Sequence, residues 1–386
     1  MEIVNPNTSF VWNKPLSING IEMMGVAEKQ GVAFSAHGYR EAKSFGGDAD
    51  AIGRAIRRQH RPLSTRVLQS AREEYAKKEV RSFPRYFIIE PTALCNRKCF
   101  FCPITVTNRS GHMHWSHFEQ LMIECFDHSV YGISLYQLGE SMLWKGKYRD
   151  NADDKTIADM VRAARTYGFR VINISTNGDV SNLDLLLDCG LSDLFFSIDG
   201  ITPEVYSQNR PSTKPNDVGA FDRTVERVRA FLEQKHNEGL IEPWCRLQII
   251  NNHLTAPQIL NFIRYWIEVP GVDDILVKNL DEMGAWLGNT VVSAEESAQK
   301  RERVVKMPCQ HLWAIGSMTA DGRFNACCHD ALTELTTVDA HIDKMSFSDW
   351  WNGEYMNSLR LEHLGLETGG EVRLPCRNCL ERDPWL

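Results

Sequence analysis

No uninterrupted apolar run in this 386-residue chain approaches the roughly 20 residues that span a bilayer, so a membrane-embedded protein is not expected. The opening Met1-Glu2-Ile3-Val4-Asn5-Pro6 lacks the basic and apolar regions of an export signal, which makes the cytoplasm the expected compartment. A surplus of positive charge is missing as well. The net charge is −7, no long basic run is present, and nucleic acid is therefore not an expected partner. The remaining bulk, 43% hydrophobic and 24% charged, is that of a globular protein with room for one large domain and smaller appendages. Cysteine is the residue that is not scarce. Of eleven, seven fall into two patterned groups, which fits metal ligation in a reducing compartment better than a disulfide scaffold.

The first group is Cys95-Asn96-Arg97-Lys98-Cys99-Phe100-Phe101-Cys102, reached directly from the apolar run Tyr86–Glu90. Three thiolates spaced x3 then x2 on a loop leaving a strand suit three corners of an iron-sulfur cube and leave the fourth iron without a protein ligand. A zinc site more often closes with four ligands in paired CxxC units, and three cysteines cannot pair among themselves as disulfides.

Residues 1–84 form an N-terminal extension with β-like pieces at 20–25 and 32–35 and helical stretches near 49–60 and 65–80, the Gly46-Gly47-Asp48 breaker preceding the first helix. A packing role is the plain expectation for it. From 85 to 282, strand patterns at 86–90, 131–138, 170–175, 193–198, 244–251 and 273–278 alternate with helical patterns near 115–127, 154–168, 183–189, 217–235 and 256–268. That alternation predicts βαβ units and a parallel sheet, an α/β fold whose function sits at the C-terminal strand ends. Residues 283–307 read as a charged connector and 308–386 as a second cysteine-bearing domain.

The cysteine loop resembles the signature of the radical S-adenosylmethionine (SAM) superfamily, CxxxCx(aromatic)C, with Phe101 at the aromatic place. Six strands then match that family's open partial (β/α)6 barrel. The resemblance implies that Cys95, Cys99 and Cys102 hold a 4Fe-4S cluster whose open iron chelates SAM. It extends to Leu138-Gly139-Glu140, like a GGE motif with its first glycine replaced, where the Glu140 carboxylate would accept from the methionyl ammonium. A capping Glu is the plainer alternative. Thr176-Asn177-Gly178 is similar to the family's TNG, implying reach to the cofactor ribose; Asn-Gly is also common in ordinary turns. Ser197-Ile198-Asp199-Gly200, with Tyr206 and Arg210, resembles an SIDG…Y…R run and implies that Ser197 and Arg210 hold the SAM carboxylate.

The fifth strand pattern, with the residues that follow it, is richer in polar groups toward its end than a buried strand needs to be. Arg246, Asn251 and His253, with Lys278 on the sixth, are candidates for substrate or cofactor contact, for simple solvation or for structural hydrogen bonding. Cys125 and Cys189 fall in helical patterns and are expected as core thiols.

In the second group, the Asp321-Gly322 turn suggests a hairpin bringing Cys309 and Cys327 together, and Cys376-x2-Cys379 follows. Four thiolates suit a fully ligated second cluster or an equivalent zinc site. This pattern resembles the C-terminal SPASM/twitch extension of radical SAM enzymes. Only seven residues follow Cys379, so the shorter twitch form with one auxiliary 4Fe-4S cluster is expected. The subgroup resemblance points toward enzymes of the 2-deoxy-scyllo-inosamine dehydrogenase type. It implies oxidation of a secondary alcohol on a small polar metabolite, a sugar or aminocyclitol, with the auxiliary cluster taking an electron and a flavodoxin or ferredoxin as reductant. His253, Lys278 and His329 are residue types able to serve as base. Epimerisation with Cys245 or Cys328 as hydrogen donor, modification of a ribosomal peptide, and a non-catalytic iron-sulfur or zinc protein are the competing readings.

Overall fold

The computed structural model describes residues 15–28, 31–60, 80–146, 155–280, 308–309 and 311–379. Among these the chain packs as two compact units, neither continuous in sequence. One takes residues from Met1–Pro62, Asn96–Phe100 and Ile174–Asp281, the other from Leu63–Cys95, Phe101–Asn173 and Glu282–Leu386. The strands in chain order are β1 Leu16–Ile18, β2 Ile21–Met23, β3 Val26–Glu28, β4 Gly31–Ser35, β5 Tyr86–Ile89, β6 Gly132–Leu135, β7 Val171–Thr176, β8 Asp193–Ser197, β9 Trp244–Asn251, β10 Asp274–Asn279, β11 Ile315–Met318 and β12 Phe324–Asn325.

In the first unit β8, β9 and β10 run parallel, Phe196 opposite Leu247 and Leu247 opposite Ile275. β9 buries side chains on both faces over most of its length, as a parallel strand covered by helices must. The N-terminal extension then adds β4 antiparallel to β10, Phe34 opposite Ile275, and β3 antiparallel to β4. A helix, Ala36–Phe45, follows β4 at once because Ser35 turns out of the strand and its hydroxyl accepts from Gly38 N at 3.1 Å. Its neighbour Ala49–His60 crosses it closely at Gly38, where a Cβ would stand 1.9 Å from the Ala49 carbonyl oxygen.

In the second unit β5 is parallel to both β6 and β11, and β12 folds back antiparallel on β11 through the expected Asp321-Gly322 turn. β6 also pairs with the start of β7, Gly132 opposite Val171. An aromatic core lies beneath β5: the Phe87 ring is 4.7 Å from Phe347 and 5.6 Å from Phe83, and Phe347 stacks on Trp351 at 5.9 Å.

The architecture is mixed α/β with parallel-rich sheet in both units, as the sequence pattern predicts. Helix Trp115–Asp127 and strand β9 fall at the expected residues. Three expectations need correction. β6 stops at Leu135 rather than 138, because Ser141 Oγ donates to the Leu135 carbonyl at 2.6 Å and turns the chain away. The pattern at 183–189 forms only a 3₁₀ turn, Leu183–Leu186, and Gly190 at φ +87° redirects the chain before a longer helix can follow. An extra helix, Pro203–Asn209, precedes the expected one, which runs Ala220–Asn237; Thr202 caps it and Pro203 opens it. The helix expected at 65–80, Val80 apart, and the connector 283–307 lie outside the described residues. No described helix is long and apolar enough to cross a membrane.

Candidate active site

The three residues between Cys95 and Cys99 are each held by the turn after β7 or by the residues that follow the helix Pro203–Asn209. Asn96 donates to the Asp179 carbonyl at 2.8 Å and accepts from Asn177 Nδ2 at 2.7 Å. Arg97 is buried, paired with Asp179, bonded to the Arg210 carbonyl at 3.3 Å, and stacked over Tyr206 at 5.3 Å. Lys98 N donates to Pro211 O at 2.8 Å. Asp179 also takes Arg223 and Arg227, each at 2.8 Å. Burial works against the Asp179 charge, but the guanidinium groups outweigh it and hold the carboxyl below its ordinary range.

Cys99 is buried beside the Arg210 guanidinium, whose Nη1 points at its sulfur from 3.7 Å. Burial pushes the thiol pKa up, while Arg210 and Arg97 favour the thiolate. Arg210 is itself anchored to Asp199, Nε at 2.7 Å and Nη2 at 2.6 Å, and the other Asp199 oxygen accepts from Ile250 N at 2.6 Å. The Asp199–Arg210 pair thus joins β8, β9 and the cysteine loop.

The remaining sequence-predicted residues of this unit are spread along the strand ends. Thr176 Oγ1 accepts from Gly178 N at 3.1 Å, Asn177 Oδ1 from Asp179 N at 2.8 Å, and Ser197 lies 3.4 Å from Ser175. His253 is exposed, its ring 6.1 Å from Phe100, and Lys278 is half-buried on β10 opposite Ile250 and Gly31. Asn251, at the end of β9, is half-buried. Arg246 pairs with buried Asp274 at 2.9 Å. Cys245 sits at the start of β9, fully buried, its thiol donating to Pro243 O at 3.3 Å and its pKa pushed up by burial to about 12.

In the second unit the loop after β6 folds against the segment leading to Cys95. A Cβ on Gly139 would stand 1.9 Å from Thr92 O, so only glycine lets the two backbones meet. Glu140 N donates to Leu94 O at 2.8 Å, and its side chain, almost fully buried, caps the turn Ser141–Leu143 by accepting from Met142 N at 3.2 Å. Cys95, Phe101 and Cys102 are half-buried.

Sequence reasoning passed over Glu90, which closes β5. Fully buried, it accepts from Arg109 at 3.2 Å and Ala320 N at 3.1 Å, and burial raises its pKa. A carboxylate ending an apolar strand was the available signal. Gln137 links this region to the second cysteine group by donating to Cys328 O at 2.7 Å.

None of the eleven cysteines forms a disulfide. Cys309 N donates to His363 at 3.1 Å, and Cys376 and Cys379 share one 3₁₀ turn. Cys327 Sγ accepts from His329 N at 3.4 Å; the adjoining Cys328 thiol and burial raise the Cys327 pKa well above its ordinary value. Cys328 Sγ lies 3.8 Å from Nδ1 of His311, a histidine the sequence did not single out. Cys125 and Cys189 are buried core thiols.

No family profile and no curated protein matches the sequence. Solved structures do. SuiB of Streptococcus suis bound to S-adenosylmethionine superposes with TM-score 0.56 at 15% identity, covering 76% of this chain and 72% of that one. The fold is that of the radical SAM enzymes. SuiB bound to precursor peptide SuiA gives TM-score 0.54 at 14% identity over 81% of this chain and 74% of that one. BtrN in complex with AdoMet and 2-DOIA gives 0.47 at 16% identity over 78% and 97%. On the radical SAM fold, Gly139-Glu140 follows β6, Thr176-Asn177-Gly178 closes β7, and Ser197-Ile198-Asp199-Gly200 closes β8.

Proposed function

We propose that this chain is a radical SAM oxidoreductase that turns a secondary alcohol of a small polar metabolite, a sugar or aminocyclitol, into a ketone. The observation that carries the cofactor reading is the fixed cysteine loop. Asn96, Arg97 and Lys98 are all pinned, and Cys99 meets a buried guanidinium that favours its thiolate, which is the form that binds iron.

The donor set fits an iron-sulfur cluster, with Cys95, Cys99 and Cys102 as its ligands. Phe101, Gly139, Glu140, Thr176, Asn177, Ser197, Asp199 and Arg210 are assigned to the SAM side. Bound together, cluster and SAM supply a 5'-deoxyadenosyl radical able to take a hydrogen atom from carbon. Among these residues Gly139 sets the approach of two backbones and Glu140 offers a carboxylate to an ammonium. Arg210 turns Nη1 toward Cys99, where its positive charge would offset that of the thiolate, while Asp199 holds the guanidinium in place through Nε and Nη2. Cys309, Cys327, Cys376 and Cys379 would hold an auxiliary 4Fe-4S cluster able to accept the electron left on the substrate once its hydrogen atom and hydroxyl proton are gone. A flavodoxin or ferredoxin would supply the separate electron that SAM cleavage consumes. His253, Lys278 and His329 remain the candidate bases for the hydroxyl proton.

Epimerisation is the second reading. Its hydrogen donor would be the half-buried Cys328, because Cys245 is enclosed at the start of β9. A peptide substrate is the third, suggested by the SuiB structure with SuiA. Turnover in deuterated water separates the first two. A ketone at the reacting carbon, one SAM consumed per product and no deuterium there support the dehydrogenase; an intact alcohol carrying deuterium overturns it. The variant lacking Cys376 and Cys379 should stop ketone formation while some SAM cleavage survives. Cluster ligation also supplies folding energy, so the isotope result decides.

A further inference from the structure

We propose that His311, Cys328 and His329 form a zinc site with one open coordination position, separate from the cysteine sets assigned above. One ligand atom from each of the three lies within 4.8 Å of the other two. The two imidazole rings are 5.7 Å apart and inclined at 41°, and Cys328 Sγ is 3.8 Å from His311 Nδ1. Zinc bonds of about 2.3 Å to sulfur and about 2.0–2.1 Å to nitrogen, meeting at a tetrahedral angle, put sulfur and nitrogen about 3.6 Å apart. The observed separation differs from that by a small side-chain adjustment.

The loop that carries Cys328 and His329 is held in place before any ion arrives. Gln137 donates to Cys328 O at 2.7 Å and His329 N to Cys327 Sγ at 3.4 Å. Asp330 N donates to Cys327 O at 3.1 Å, Asn325 Nδ2 to Asp330 O at 3.0 Å, and the Asp330 carboxylate accepts from Glu334 N at 2.9 Å and Leu335 N at 2.6 Å. A loop fixed on this scale loses little entropy on coordination. Two imidazoles and one thiolate form a borderline-soft donor set that suits zinc, and three protein ligands leave the fourth place for an oxygen donor, as in catalytic rather than structural zinc sites. That oxygen is water or an alcohol. The alcohol case rests on the proposed function; the site itself does not.

The test uses the full chain with its clusters assembled under anaerobic conditions, equilibrated with zinc(II) and freed of loose metal by gel filtration. Zinc and iron are counted by mass spectrometry, and the zinc shell is read by X-ray absorption. The expected result is about one zinc per chain with one sulfur and two nitrogen neighbours. His311→Ala and Cys328→Ala should each weaken zinc retention by more than tenfold while leaving iron unchanged. If Cys328→Ala perturbs its neighbour Cys327, His311→Ala carries the comparison. No retained zinc, a four-sulfur zinc shell, or iron lost together with zinc in His311→Ala would each overturn the proposal. The last outcome would place these residues in the auxiliary cluster instead.

Discussion

Asp179→Asn removes one negative charge from among three guanidinium groups at almost constant volume. The Arg97 side chain is 1% exposed, whereas Arg223 and Arg227 are 33% and 32% exposed and can turn to water. The two outer pairs contribute little, about 0.2–1 kcal/mol each. Arg97 cannot escape. Breaking a buried pair from one side costs about 3–5 kcal/mol, and the stacking on Tyr206 and the bond to Arg210 O put this case near 3 kcal/mol. For a unit of this size each kcal/mol moves Tm by about 2–4 °C, so a drop of about 6–12 °C is expected at pH 7 in the melt of the cluster-loaded protein followed by circular dichroism. The pH dependence has a definite sign. The folded Asp179 carboxyl titrates below its unfolded value near ~3.9, so its stabilisation is complete above that value and is lost as pH falls through the folded pKa. Wild type and Asp179→Asn should therefore differ most at neutral pH and converge in acid. A Tm change under about 2 °C at pH 7, or a gap that widens in acid, would refute the reasoning.

Gly139→Ala should cost more than the usual ~1–3 kcal/mol of overpacking, because the clash is with the Thr92 backbone just before Cys95; iron bound per chain and the melting curve both report it. Arg210→Lys leaves buried Asp199 short of one hydrogen bond and Cys99 without its facing donor. A loss of about 1–3 kcal/mol and faster iron release during gel filtration are expected, and wild-type iron retention would count against the pairing. Phe347→Ala should destabilise the second unit by about 3–5 kcal/mol, seen as an earlier unfolding step, since its ring meets Phe83, Phe87, Phe324, Trp350 and Trp351.

What the sequence made legible was local. Trp115, Phe118, Leu121, Met122 and Cys125 repeat at helical spacing, and all are buried in the helix that the spacing predicts. The apolar residues of β9, Trp244, Cys245, Leu247, Ile249 and Ile250, are dense enough in a short segment to mark a strand, and they form one. What it hid was long-range. Nothing in Gly31–Ser35 announces a partner more than two hundred residues away in β10, and nothing in Ile315–Met318 announces β5. Strand patterns report a half-buried surface, not its neighbour. The same limit applied at the site. The motifs stood out as strings, whereas Asp179 became visible as the clamp on the cysteine loop only once the helix Ala220–Asn237 placed Arg223 and Arg227 upon it. Asp199 and Arg210 stood in one run, yet nothing in the string announced that they pair with each other.

The central claim, SAM-dependent radical chemistry at Cys95, Cys99 and Cys102, is tested most directly by 5'-deoxyadenosine release. Reduced, cluster-loaded protein mixed with SAM should release it and carry about eight irons per chain if both sites hold four-iron clusters. The triple variant Cys95→Ala, Cys99→Ala, Cys102→Ala should keep about half the iron and release none. Undiminished 5'-deoxyadenosine from that variant would contradict the claim.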